Sequence, residues 1–214
     1  MRIKFIQKII DKIRNKKQRE IKCLSQYNNI EINKLIVNNV NLNIKGQNNT
    51  IIINTSLIKG TLNINIFGND NYIYIDNNVT VSQNLSILIG QNHHNFGKVN
   101  NSRFEIYKNT SVESVNYITF NSNTFCKIQE DCMLSYGITI YNTDAHPIFI
   151  KGTRTIINKV KGIKIGKHSW IGMNVTILKN SNIPSNSIIG CNTVFCGGGG
   201  GLTLRICRKP CKNC

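Results

Sequence analysis

An aliphatic residue opens every sixth position from Ile165 to Ile189, marking five consecutive units. They read Ile165-Gly166-Lys167-His168-Ser169-Trp170, Ile171-Gly172-Met173-Asn174-Val175-Thr176, Ile177-Leu178-Lys179-Asn180-Ser181-Asn182, Ile183-Pro184-Ser185-Asn186-Ser187-Ile188 and Ile189-Gly190-Cys191-Asn192-Thr193-Val194. Four places after each opening residue stands a small or β-branched one: Ser169, Val175, Ser181, Ser187 and Thr193. An α-helix turns about 100° per residue, so a period of six would throw successive isoleucines onto opposite faces. A parallel β-helix with three short strands per turn stacks them into one buried column instead. The pattern predicts an all-β solenoid.

Upstream the same architecture is written more loosely. Leu42-Asn43-Ile44-Lys45-Gly46-Gln47-Asn48-Asn49-Thr50-Ile51-Ile52-Ile53 returns 22 residues later as Ile64-Asn65-Ile66-Phe67-Gly68-Asn69-Asp70-Asn71-Tyr72-Ile73-Tyr74-Ile75. Each copy is strand, corner, strand: alternating isoleucines point inward, and Gly and Asn tolerate the positive φ that a tight corner needs. Hexads resume at Val112, Ile128 and Leu134. Residues 144–162 interrupt the repeat, and such excursions leave a solenoid at one edge and commonly carry function. Residues 1–21 set Ile6, Ile9, Ile10 and Ile13 at helical spacing among lysines and arginines, which predicts a short basic amphipathic helix. That helix suits either an anionic membrane surface or the open end of the solenoid. The domain plan is therefore a helix at 1–21, a β-helix over 22–196 with its insertion at 144–162, and a Gly- and Cys-rich tail at 197–214.

The formal charge of +17 suggests a polyanionic partner. No DNA-reading motif accompanies it, so no nucleic acid is expected. An AT-rich genome, which favours lysine, asparagine and isoleucine codons, is the other explanation, and the sequence leaves both open. No stretch approaches the roughly 20 apolar residues of a membrane span, and residues 1–20 do not resemble a secretory signal, so the protein is expected in the cytoplasm or peripherally at the inner face of the membrane. Eight cysteines are present. Cys23, Cys126, Cys132 and Cys191 are isolated and read as small core or wall residues. Cys196, Cys207, Cys211 and Cys214 lack the paired Cys-x-x-Cys knuckles of a zinc site. The four histidines, His93, His94, His146 and His168, offer no set of three for a catalytic zinc. No metal is expected.

Taken together, Asp131-Cys132-Met133-Leu134-Ser135, Asn142-Thr143-Asp144-Ala145-His146-Pro147-Ile148, Ile163-Lys164-Ile165-Gly166-Lys167-His168-Ser169-Trp170-Ile171-Gly172, Ile177-Leu178-Lys179 and Ile188-Ile189-Gly190 resemble the hexapeptide-repeat acyltransferases. Within these, the chain is most similar to the bacterial O-acetyltransferases of capsules and sialic acid. The resemblance covers about residues 40–195. It implies a left-handed parallel β-helix, acetyl-CoA as donor, and a homotrimer with sites in the clefts between subunits. It also implies His146 as general base assisted by Trp170, with coenzyme contacts at Gly172, Met173, Gly190 and Cys191 and Lys179 as a phosphate partner. The residue chemistry agrees: an imidazole titrating near pH 6.5 can take the proton of an attacking hydroxyl. An indole N–H can only donate, to an oxyanion or to the acceptor. Asp144 is the candidate to orient His146, and alternation turns His168 outward as a wall residue.

The expected function is acetyl transfer to a hydroxyl of a cell-surface polysaccharide or lipooligosaccharide sugar. A nucleotide-sugar N-acetyltransferase and a non-catalytic scaffold are the alternatives. One departure bears on this. After Val194 the family pattern runs into a Gly-Asn-Pro-Ala type segment, whereas here five glycines, Gly197 to Gly201, precede Leu202-Thr203-Leu204-Arg205. A guanine tract would encode the glycines, and a one-base shift converts codons for Leu-Thr-Leu-Arg into Ala-Asn-Pro-Ala. About the last 13 residues of the 197–214 tail are accordingly read as a frame-shifted, phase-variable end, and a form so shifted would be inactive or weakly active; the alternative is a true Gly hinge followed by a metal-binding or disordered tail.

Overall fold

A computed structural model of the chain describes residues 26–33, 40–91 and 97–197. The helix expected at 1–21, His93 and His94, and Cys207, Cys211 and Cys214 lie outside the described residues. The described residues form strands and turns only, and none of their elements is a helix long and apolar enough to cross a membrane.

All strand pairing is parallel, in two sheets of seven and eleven strands that wrap into three walls. Wall 1 stacks β1 (Asn29–Ile32), β3 (Thr50–Ile53), β6 (Tyr72–Ile75), β8 (Arg103–Ile106), β10 (Phe125–Ile128), β13 (Ile163–Ile165) and β16 (Asn182–Ile183). Wall 2 contains β4 (Leu57–Ile58), the first residues of β7 (Thr80–Ile89) and β9 (Ser111–Thr119), then β11 (Met133–Leu134), β14 (Trp170–Ile171) and β17 (Ile188–Ile189). Wall 3 contains β2 (Val40–Lys45), β5 (Thr61–Phe67), the remainder of β7 and β9, β12 (Ile138–Tyr141), β15 (Thr176–Leu178) and β18 (Val194–Phe195). The register irregularity between Val81 and Asn84 lets β7 turn from wall 2 to wall 3 without ending. The two walls are therefore one continuous sheet.

The five hexads behave as the periodicity requires. Ile165, Ile171, Ile177, Ile183 and Ile189 are all buried, as are Ser169, Val175, Ser181 and Thr193; Ser187 is half-buried. Each isoleucine withdrawn from water contributes about 1.5–3 kcal/mol, and the small residues close the corners. Ser169 Oγ, for example, donates to Pro184 O of the next coil at 3.1 Å. The fourth residue of every hexad makes the turn: His168, Asn174, Asn180, Asn186 and Asn192 all have φ between +53° and +61°. Asn adopts this left-handed conformation at least cost among residues with a side chain. His168 is thus a corner residue and not the wall residue expected, because the corner consumes the position that simple alternation would assign to the strand. Coil spacing also demands Gly172: a Cβ there would meet Ile189 O at 2.8 Å and Cys191 N at 2.9 Å.

In the N-terminal half a polar ladder runs through one inner corner. Asn49 donates to Asn28 Oδ1 at 2.9 Å and to Gly68 O at 3.0 Å, and Asn71 donates to Asn49 Oδ1 at 3.0 Å and to Val99 O at 2.8 Å. Every amide in this stack answers the one below it, which is the condition for burying it without cost. Cys126 and Cys132 are core residues, whereas Cys191 is exposed in a turn. Burial in apolar surroundings pushes both core thiols up, foremost by desolvation, which makes them poor nucleophiles.

Candidate functional site

The chain leaves wall 3 after Tyr141 and re-enters wall 1 at Ile163, and the excursion carries His146. Its root is clamped from inside the coil. Asn142 occupies the inward position that would continue the alternation Ile138, Ile140, and it is fully buried. Its amide nitrogen lies 3.2 Å from Tyr117 Oη, 2.9 Å from Thr124 Oγ1 and 2.9 Å from Phe125 O. Thr124 Oγ1 also donates to Lys161 O at 3.2 Å. One buried cluster therefore holds both ends of the loop.

A second clamp sits outside. Lys179, just beyond β15, pairs with Asp144 at 2.5 Å, the one ion pair among the described residues, and donates to Asn158 O at 2.8 Å. Asn158 in turn donates to Asp144 Oδ2 at 2.8 Å and to His146 O at 2.9 Å, and accepts from the Ile148 N–H at 2.7 Å. Desolvation alone would raise the Asp144 carboxyl. The hydrogen bonds from Lys179 and Asn158, with the charges of Lys179 and His146, outweigh it and hold the group below the ordinary aspartate value of 3.8. Between Asp144 and His146, Ala145 takes φ +65°, fixed by its N–H donating to Thr143 Oγ1 at 2.9 Å. A left-handed alanine costs roughly 1–2 kcal/mol, and it turns the backbone so that His146 stands exposed on a pinned main chain. Beyond it, Ile148 to Ile157 fold back as a short antiparallel arm bridged at Phe149 and Ile156.

Trp170 opens β14 on wall 2. It is 45% exposed, and its Nε1–H donates to Ser135 Oγ at 3.1 Å. With Ser111, Glu113, Met133, Tyr136 and Met173 it lines a shallow groove of about 410 Å³. A single chain does not bring His146 and Trp170 together: the histidine leaves from the corner between walls 3 and 1, whereas the indole lies on wall 2. Asp144 does lie within electrostatic reach of His146, though its oxygens are engaged by Lys179 and Asn158. Gly172 and Met173 lie directly under Gly190 and Cys191 on the next coil, with the Asn192 N–H donating to Met173 O at 2.8 Å. Lys179, grouped with them from sequence, stands apart at the loop clamp. His168 is held at its corner by Asn186, whose Oδ1 lies 2.9 Å from the ring Nδ1.

Sequence reasoning missed Asn142, Asn158 and Ser135. Asn142 carried a usable signal, since a polar residue replaces isoleucine in an inward alternation. Ser135 and Asn158 carried none, because their partners are fixed only by coil register.

The described residues thus form a parallel β-helix with an exposed histidine on a doubly clamped loop and an indole in a groove on another wall. No family model matches the chain. It is 35% identical over 147 residues to the polysialic acid O-acetyltransferase of Neisseria meningitidis, covering 63% of this chain and 68% of that protein. A shorter segment of 52 residues is 38% identical to the polysialic acid O-acetyltransferase of Escherichia coli O1:K1, covering 24% of this chain and 17% of that one. The fold is similar to the crystal structure of the polysialic-acid-specific acetyltransferase NeuO, with a TM-score of 0.59 at 22% identity over 81% of this chain and 80% of that one. The chain belongs to the family of the polysialic acid O-acetyltransferases and is an O-acetyltransferase.

Proposed function

We propose that the chain transfers an acetyl group from acetyl-CoA to a hydroxyl of a sialic-acid-containing surface polysaccharide, as a homotrimer of left-handed coils. The observation that carries this reading is the similarity to a polysialic acid O-acetyltransferase across two thirds of that protein's length. His146 is the general base. Its imidazole removes the proton of the acceptor hydroxyl as that oxygen attacks the thioester carbonyl, and the C–S bond then breaks. The proton returns from the imidazolium to the departing coenzyme A thiolate. The doubly clamped loop supports this role, because a base delivers its rate advantage only when its position is fixed beforehand.

Trp170 acts from a neighbouring subunit, which explains why the two rings stand on different walls of one chain. Its bond to Ser135 fixes the indole plane and favours acceptor positioning over oxyanion binding. The donor runs along the adjacent corners of Gly172-Met173 and Gly190-Cys191, where Met173 and Cys191 are exposed.

The test is thiol release from acetyl-CoA with polysialic acid as acceptor. Wild type transfers acetyl, and H146A lowers kcat by about 10²–10⁴ without changing circular dichroism or sedimentation. W170A is also impaired. Mixing and reassembling H146A with W170A in equal amounts restores activity, since after random reassembly about a quarter of all interfaces recover both rings. Absence of recovery would mean that both rings act within one chain.

A further inference from the structure

All ten acidic residues of the chain lie at or before Asp144, yet lysine and arginine continue beyond it. Uniform codon bias would enrich lysine everywhere without removing acids from one third of the protein. The structure gathers the surplus. Lys151, Arg154, Lys159 and Lys161 lie on the loop that bears His146, and Lys164 and Lys167 lie on the coil that follows; all six are exposed. The nearest carboxylate in the loop, Asp144, is already taken by Lys179.

Three of these cations are presented on a fixed main chain. The Lys161 N–H donates to Asn180 Oδ1 at 2.6 Å, Lys161 O accepts from Thr124, and Lys159 O accepts from Asn180 Nδ2 at 3.0 Å. Lys164 sits in β13 directly beside Lys127 of β10, an adjacency of like charge that a sheet normally avoids. Lys127 is itself held over the Tyr107 ring at 4.6 Å. Exposed lysines on pinned backbones thus follow one another along the return limb of the loop and into β13.

Resting on the acceptor class proposed above, we infer that Lys159, Lys161 and Lys164 form a docking track for a long acidic polysaccharide, outside the reacting centre. The track binds the polymer by repeated charge pairing and delivers it toward His146, so it acts on chain length and charge and not on the sugar being acetylated. Such binding releases counterions and weakens steeply with salt.

The experiment is equilibrium binding of polysialic acid of long and short chain length to the full chain, with dextran as neutral control, for wild type and the K159Q/K161Q/K164Q variant. Three exposed pairs lost together are expected to weaken long-chain binding about tenfold and to flatten its salt dependence. Short-chain binding and the KM for acetyl-CoA stay within about twofold, and K159R/K161R/K164R retains wild-type affinity. Unchanged long-chain binding in the glutamine variant, failure of wild type to bind the polymer, or a rise in the acetyl-CoA KM would each overturn the track. Failure of the acetylation reading itself appears separately, as no acetyl transfer to the short acceptor.

Discussion

The two halves of the solenoid are built from the same inward isoleucines but to different specifications. In the N-terminal half coils advance by about 22 residues, as in Thr50 beside Tyr72 and Arg103 beside Phe125, except where Tyr72 pairs with Arg103, 31 residues on, and strands reach ten residues. From Ile163 onward the advance falls to 18, as in Ile165 beside Ile183, and strands shrink to two or three residues. The first half fills the corner before wall 1 with the buried ladder of Asn28, Asn49 and Asn71; the second fills its corners with single small residues, Ser169 before wall 2, Ser181 before wall 1 and Thr193 before wall 3. In a solenoid each coil is stabilised mainly by its neighbours. The long, laddered coils supply stability, and the short coils give up strand length for a loop, a groove and a one-sided charge.

If that division holds, substitutions in the two halves should separate activity from stability. The largest contrast lies at His146: H146A should cost about 10²–10⁴ in kcat and leave urea denaturation unchanged, since the side chain is exposed. Next, N142A should remove one of the two side-chain partners of the buried Tyr117 hydroxyl and the amide donor to the Phe125 carbonyl. That costs about 2–3 kcal/mol and lowers kcat about 10- to 100-fold, because the loop root is where the two halves meet. N71A should also cost about 2–3 kcal/mol, because the buried Ser102 N–H loses its acceptor and Val99 O loses the amide donor, while Asn49 Oδ1 keeps the Asn71 N–H. Its kcat at temperatures where it stays folded should match wild type. A catalytic defect in N71A would mean that the coil stack transmits strain to the loop and that the halves are not separable.

Much of this contrast can be read from residues alone. The inward column and the loop boundaries follow from where the hexads begin and stop, since burial on one face is all that a period of six encodes. The walls of His146 and Trp170 do not follow, because wall assignment needs the count of corners between them and the insertion hides that count. The corner asparagines are legible in the upstream copies, where Asn48 takes φ +57°, but not in the hexads, where a left-handed φ is a backbone state and only its recurrence at the fourth place reveals it. The absence of acids after Asp144 was plain in the sequence, but a total charge of +17 averages it away.

A smaller effect is expected at the outer clamp. Asp144 is held below its ordinary value, so its pairing with Lys179 is fully present above pH 3.8 and is lost as the pH falls through the lower folded value. The carboxylate is 34% exposed, and solvent screening limits the contribution to about 0.5 kcal/mol. D144N should therefore barely alter the melting temperature. It should remove the part of the acid-side decline in loop protection, followed by amide exchange at residues 144–158, that wild type shows below about pH 4. An unaltered exchange profile would mean that Asn158 alone holds the loop.

The smallest expected effect separates the two described histidines. His168 occupies the corner position that Asn174, Asn180, Asn186 and Asn192 fill in the other hexads, at the same left-handed φ. Asn is the better residue for that backbone, and its amide can replace the ring nitrogen now facing Asn186 Oδ1. H168N should therefore raise stability by about 0.5 kcal/mol and change kcat by less than twofold, measured by thermal melting and the acetyl-transfer assay. A stabilised, fully active H168N would leave His146 as the described histidine able to serve as base. A folded but inactive one would move the proton-accepting role to the corner beside Trp170 and reverse the assignment of the loop.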